Sequence, residues 1–148
     1  MDTAASETDI QAEATPWHLY AVGSLVLVWG ILCVARYLAF QHDMLDPQMV
    51  AGLQLEVFYD LPMPVMAAWA LCTWGGVAGA AMLLARSKWA VQAFTLSLVG
   101  LIVTSFYQYA MTANPVSIYD MPVNLAVWII ALVALLYASR AQSVGVLR

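Results

Sequence analysis

The stretch "WGGVAGAAMLLARSKWA", residues 74–90, decides the architecture of this chain. It begins as an unbroken run of small and apolar residues. Arg86 and Lys88 then arrive within three positions, and Trp89 opens a second apolar run. A helix on the surface of a soluble protein would set charged residues opposite an apolar stripe. Here a whole helix length on either side of the basic turn lacks them, which predicts two membrane helices joined by a short connection. Gly75 with Gly79, and Gly76 with Ala80, give two overlapping small-xxx-small faces on the first helix. Small residues let backbones approach closely where lipid removes any hydrophobic drive for helices to associate. Gly75, Gly76, Gly79 and Ala80 are therefore expected to form a helix-packing face, inside the bundle or between protomers.

The rest of the chain has the same character. Of its 148 residues 64% are hydrophobic and 9% charged, against about a quarter charged in a soluble domain. The mean hydropathy is +0.80. A crossing helix needs about 20 apolar residues, and four runs supply them, at roughly residues 17–40, 64–85, 89–111 and 122–139. In lipid the backbone of each run must satisfy its own hydrogen bonds, so each is a helix. The expected fold is an all-α membrane protein, a four-transmembrane-helix bundle with a short amphipathic helix in the first outer loop. Asp46-Pro47 starts that short helix as N-cap and first-turn proline, and Met49, Val50, Leu53, Val57 and Phe58 follow at helical spacing. Residues 1–15 read as a disordered acidic tail, 16–141 as the transmembrane domain and 142–148 as a short cytoplasmic tail. The acidic start and the length of the first run are those of an uncleaved anchor rather than a signal peptide.

Orientation follows from Lys and Arg. Arg86, Lys88, Arg140 and Arg148 fall on one side of the membrane, which is assigned to the cytoplasm together with both termini. Asp43, Asp46, Glu56, Asp60 and Asp120 fall on the other side. Five Lys and Arg in total cannot make a nucleic-acid surface. The paired motifs "YDLP" at residues 59–62 and "YDMP" at residues 119–122 each precede a span. They read as helix starts, with Tyr at the interface, Asp as N-cap and Pro in the first turn.

Chemistry has few places to reside. Ser97, Gly100, Thr104 and Gln108 lie on one face of the third span, a stripe suited to face protein rather than lipid. Arg36 is the basic residue near the outer span ends, and an intramembrane charge is a functional hypothesis whose partner must be named. The candidate outer polar cluster is Arg36 with Asp60, Asp120, Gln108 and Tyr37, with Glu56 as a further partner. Two readings stay open: a snorkelling or ion-paired arginine that fixes the helices, and a small polar site opening outward. Cys33 and Cys72 read as small hydrophobes, and Trp29, Trp69, Trp74 and Trp128 as core fillers. His18 and His42 sit at span ends, away from any haem or metal geometry, and no nucleotide, hydrolase or dinucleotide motif occurs. No catalytic residue, metal or cofactor is expected, and no enzyme.

The chain resembles a group of small four-span bacterial membrane proteins, mostly proteobacterial, commonly labelled sugar transporters. The residues that carry the likeness are Trp29 with Tyr37, the block 74–90, "FTLSLVGLIV" at residues 94–103, and Met121-Pro122. It covers roughly residues 25–138. Gly30 stands where the group commonly has Asn, and Pro62-Met63-Pro64 where it tends to have Pro-x-Trp, so any polar site those residues form is altered here. The resemblance implies a four-span fold, the bacterial inner membrane, and a transporter. Transporter sites usually lie at the midplane on broken helices, whereas these prolines stand only at helix starts and the midplane offers Thr73, Ser97 and little else. The leading expectation is therefore a non-enzymatic accessory or structural component of a homo-oligomer or larger membrane complex, in contact with membrane lipid. The alternative is an oligomeric transporter of a small-molecule solute such as a sugar.

Overall fold

The computed structural model describes residues 17–52, 58–59, 61–111 and 121–147. They form α1 (Trp17–Gln41), α2 (Pro47–Gly52), α3 (Met63–Leu84), α4 (Trp89–Ala110) and α5 (Met121–Ser143). α1, α3 and α4 are long and apolar enough to cross a membrane, and so is α5 over Asn124–Ser143. The expected class is therefore the observed one, four spans with a short helix in the first connection. Only 17% to 33% of each span is buried within the bundle. Leu25, Ile31 and Leu32 on α1, Ile102 and Phe106 on α4, and Leu125, Ile129 and Leu136 on α5 all face outward. A surface of that composition requires lipid as its solvent.

Small residues set the order of packing. α3 packs most extensively on α4 and next on α1, while α5 leans on α4 and only lightly touches α1. On the α3–α4 seam a Cβ at Gly75 would stand 3.1 Å from Ser97 Cβ, and one at Gly79 would stand 2.7 Å from the Phe94 ring. The tightest point is Gly100, where a Cβ would meet Ala68 O at 2.5 Å and Cys72 N at 2.8 Å. Gly30 of α1 meets Val77 of α3 in the same way, at 2.9 Å from Cγ2. α5 contributes Ala134, Ala138 and Ala141 to a core shared with Leu19, Leu83 and Phe94. Its opposite half differs, for no residue from Asn124 to Val133 is buried.

Three helices end alike. The amide of Met44 donates to Ala39 O at 2.9 Å, that of Ser87 to Met82 O at 2.8 Å, and that of Val146 to Ala141 O at 3.0 Å. With the shorter bonds from Asp43, Arg86 and Gly145 inside them, these are Schellman closures. Such a closure needs a left-handed residue, here Asp43 (φ 49°), Arg86 (φ 59°) and Gly145 (φ 83°). A side chain in that region is strained. Asp43→Gly is therefore expected to raise stability by about 0.5 kcal/mol, read as a shift in the unfolding midpoint in detergent micelles.

Several details depart from the sequence reading. The N-cap of α3 is Pro62, with φ −60° and ψ 148° and no side-chain cap bond, rather than Asp60. Pro62 O accepts the amides of Val65 at 2.9 Å and Met66 at 3.0 Å, so the carbonyl of a residue held extended starts the helix. Asp120 immediately precedes α5 and, like Asp60 and Glu56, lies outside the described residues. α5 continues to Ser143, four residues beyond the expected 139, because Gly145 supplies the stop. The tail after it is docked: Val146 and Leu147 are buried, and Arg86 Nε donates to Val146 O at 3.2 Å. In the first loop Val50 and Phe58 are buried while Met49 is exposed, so α2 caps the bundle; Leu53 and Val57 lie outside the described residues. Trp74 is 50% exposed and not a core filler, because Gly75 and Gly79 beside it take the packing face and turn its ring outward.

Candidate functional site

α1, α3, α4 and α5 line a cavity of about 110 Å³. Its position follows from the seam. α3 is held tightly between α1 and α4, but α5 diverges from α1, leaving a space that no side chain of the described residues fills. At the end of the bundle that carries α2, the cavity is lined by Arg36, Thr104, Ser105, Gln108 and Asn124, with Trp69 and Phe58 beside them. Midway come Trp29, Cys33, Cys72, Thr73 and Ser97. Toward the Arg86 end the wall is Val26, Phe94 and Ala134, and Leu101 stands on α4 between Ser97 and Thr104. The cavity is thus polar at one end and apolar at the other.

Each polar residue reaches the cavity by helical spacing. On α1, Trp29, Cys33 and Arg36 succeed one another at steps of four and three, so one face carries them all. Arg36 lies five residues before the end of α1, about 8 Å along its axis, within reach of the membrane interface for a snorkelling side chain. The α4 stripe enters as one unit: Ser97, Thr104 and Gln108 are 8%, 5% and 7% exposed, and Gly100 between them is buried. Most hydroxyls are anchored. Ser97 Oγ donates to Cys72 O at 2.7 Å across the α3–α4 seam, Thr104 Oγ1 to Gly100 O at 2.8 Å, and Thr73 Oγ1 to Ala70 O at 3.0 Å. Anchored in this way, each hydroxyl oxygen keeps acceptor capacity. The Arg36 guanidinium brings up to five donors and the Gln108 and Asn124 amides bring both donor and acceptor. Among the described residues that line the cavity, Arg36 is the one with formal charge and no carboxylate accompanies it.

Of the expected outer polar cluster, Arg36 and Gln108 meet on this wall. Tyr37 does not line the cavity. Its hydroxyl accepts from Gln41 Nε2 at 3.1 Å, and its ring packs edge-on against Trp69 at 4.9 Å. Asp60 and Asp120 lie outside the described residues. The expected packing face, Gly75, Gly76, Gly79 and Ala80, is placed inside the bundle: Gly75 and Gly76 approach Ser97, Gly79 approaches Phe94, and Ala80 is fully buried. Asn124 and Ser105 escaped the sequence reading. Their signal was present, since Asn124 is a lone amide inside an apolar run and Ser105 adjoins the α4 stripe. Cys33 and Cys72, both free and half-buried, line the wall rather than filling closed packing. Among the described residues no cluster of metal-ligating side chains occurs.

The wall can hold a small polar or anionic group by charge-assisted hydrogen bonds in a low-dielectric setting, where they are strongest. The fold and the cavity together define the class: an integral membrane protein of four spans with a chamber between them that is polar at one end. No protein-family model, no curated protein and no solved structure matches the chain.

Proposed function

We propose that this protein binds a small anionic solute in the chamber between its helices, the solute-handling alternative of the two sequence readings. One observation carries the reading: Arg36, without a lining carboxylate among the described residues, converges with Gln108, Asn124 and the α4 hydroxyls on one cavity. An arginine within a membrane span is a functional hypothesis by default. The glycine face, the main support for an accessory component in an oligomer, is occupied by α4 of the same chain. The volume favours a polar group smaller than a sugar within the chamber, since a cavity of 150 Å³ accommodates benzene and this one has about 110 Å³. The setting in this reading is the bacterial inner membrane, supported by the resemblance to the four-span group. Both termini then face the cytoplasm, supported by Arg86, Lys88 and Arg140 at one end of the bundle. The role is non-enzymatic, and solute passage along the chamber would make the protein a transporter.

The test is equilibrium binding to purified protein in nanodiscs of phosphatidylcholine, with acetate, butyrate, inorganic phosphate and glucose as probes. At least one anion is expected to bind, and Arg36→Gln to weaken it about 10- to 100-fold, the loss of a charged hydrogen bond worth about 1.5–3 kcal/mol. Unchanged affinity in Arg36→Gln would remove the site from consideration. Absence of anion binding together with a stoichiometric protein partner co-purifying in mild detergent would restore the accessory reading.

A further inference from the structure

The chamber has a second property that a site for a water-borne solute does not need. Among the described residues, its side toward lipid is incomplete. α1 and α5 are held together at the Arg86 end, where His18 Nδ1 and the Tyr137 hydroxyl share a hydrogen bond of 2.6 Å and Leu19, Ala134 and Ala138 are buried in one core cluster. From Ala134 toward the α2 end they separate. Asn124, Val127, Ile130 and Ala131 on α5 all line the cavity, yet none of them is buried. Trp29, Cys33 and Arg36 across from them are likewise only partly covered. These are positions that a closed four-helix bundle would bury completely.

The polarity of this gap runs in a definite direction. Arg36, Gln108 and Asn124 stand at the α2 end, at interfacial depth. Trp29, Ile130 and Ala131 follow toward the middle of the membrane, and Val26 and Ala134 lie beyond them. A leaflet lipid has the same order, with its head at the interface and its chain pointing to the midplane. The cavity volume, about 110 Å³, has room for a head group of a few heavy atoms, and a chain would extend along the open seam. It is too small for a head carrying two chains and a glycerol.

We infer that the ligand is a single-chain anionic amphiphile taken sideways from the bilayer, its head held by Arg36, Gln108 and Asn124 and its alkyl chain lying between α1 and α5. This rests on the proposed anion site and names the class of molecule that fills it. Charge complementarity selects the head, because the guanidinium is the formal charge on the described wall. A carboxylate and a phosphate monoester share the chemistry that a guanidinium recognises, so the two heads are separate arms of the test.

The experiment uses the full chain in phosphatidylcholine nanodiscs at a pH where the acids are ionised. The probe is a long-chain alkyl carboxylate bearing a diazirine at mid-chain; photolysis is followed by mass-spectrometric mapping of the labelled residues. Labelling is expected at Trp29, Val127, Ile130 and Ala131. Dodecanoate or dodecyl phosphate should compete it away, whichever head is preferred, while dodecanol at the same mole fraction in the bilayer should not. Arg36→Gln should reduce gap labelling at least tenfold and leave labelling of the lipid-facing Leu25 and Leu136 unchanged. Ala131→Trp, which fills the gap, should reduce dodecanoate binding about tenfold and butyrate binding by a smaller factor. Equal competition by dodecanol, or labelling insensitive to Arg36, would mean adventitious lipid only and overturn the inference. Butyrate binding that depends on Arg36, with dodecanoate binding unaffected by Ala131→Trp, would also overturn it while leaving the anion site standing. Loss of Arg36 dependence for butyrate and dodecanoate alike would overturn both.

Discussion

Gly100→Ala is expected to be among the most damaging single-methyl changes in the chain, at a cost of about 3 kcal/mol, the upper part of the overpacking range. Its new Cβ would lie 2.5 Å from Ala68 O and 2.8 Å from Cys72 N. Both are backbone atoms of α3, which cannot rotate away as a side chain can. The helices must separate, and the 2.7 Å bond from Ser97 Oγ to Cys72 O would lengthen with them. In lipid nothing compensates, because helix association there rests on close packing and interhelical hydrogen bonds. Gly76→Ala is the matched control, since its nearest neighbour is Ser97 Oγ at 3.6 Å. That variant should stay within about 0.5 kcal/mol of the parent. Reversible unfolding in mixed micelles measures both. Equal tolerance at the two glycines would show that the α3–α4 seam is not where the bundle is tightest.

Trp69→Ala carries the second large effect, a loss of about 3–4 kcal/mol that centres on the α2 end. Trp69 is 5% exposed and is the hub of an aromatic group. Its ring stacks on Phe58 at 4.1 Å and meets Phe40 edge-on at 5.6 Å. Val50 of α2 belongs to the same cluster. Removing the ring therefore releases α2 as well as a core side chain, and it widens the polar end of the chamber beside Arg36. Faster proteolysis within the connection between α1 and α3 should accompany the lower unfolding midpoint. Trp69→Phe keeps a ring in place and should lose only about 1 kcal/mol. If Trp69→Ala lowered the midpoint while the connection stayed as protected as in the parent, α2 would not depend on the aromatic hub.

Two residues of the candidate site, Arg36 and Gln108, were legible in the sequence. Arg36 was conspicuous as a charge inside an apolar run, which is a functional hypothesis by default, and Gln108 because it ended a polar stripe at helical spacing. Asn124 was less visible. It stands near the start of its run, where polar residues are common, and only the position of α5 brings it opposite Arg36. The cysteines and Trp29 offered no signal of their own, since the same residues fill closed cores elsewhere. Tyr37 stands beside Arg36 in sequence but points elsewhere, because adjacent helix positions are separated by about 100° around the axis.

What the sequence determined by itself was the solvent, the number and approximate bounds of the spans, and the small residues that make a close seam available. Length and hydropathy settle those matters, because a helix in lipid must satisfy its own backbone and be long enough to cross. The tertiary structure alone decided how α1 and α5 are rotated and which neighbour each helix meets. A soluble amphipathic helix announces its inner face through the period of its apolar residues. These spans are apolar nearly all round, so hydropathy does not choose a face for them, and steric fit does. Fit placed Gly100 rather than Gly76 at the tightest contact, turned Trp74 outward and Trp29 inward, and left α5 apart from α1. The polar chamber and its open side exist because of that last separation.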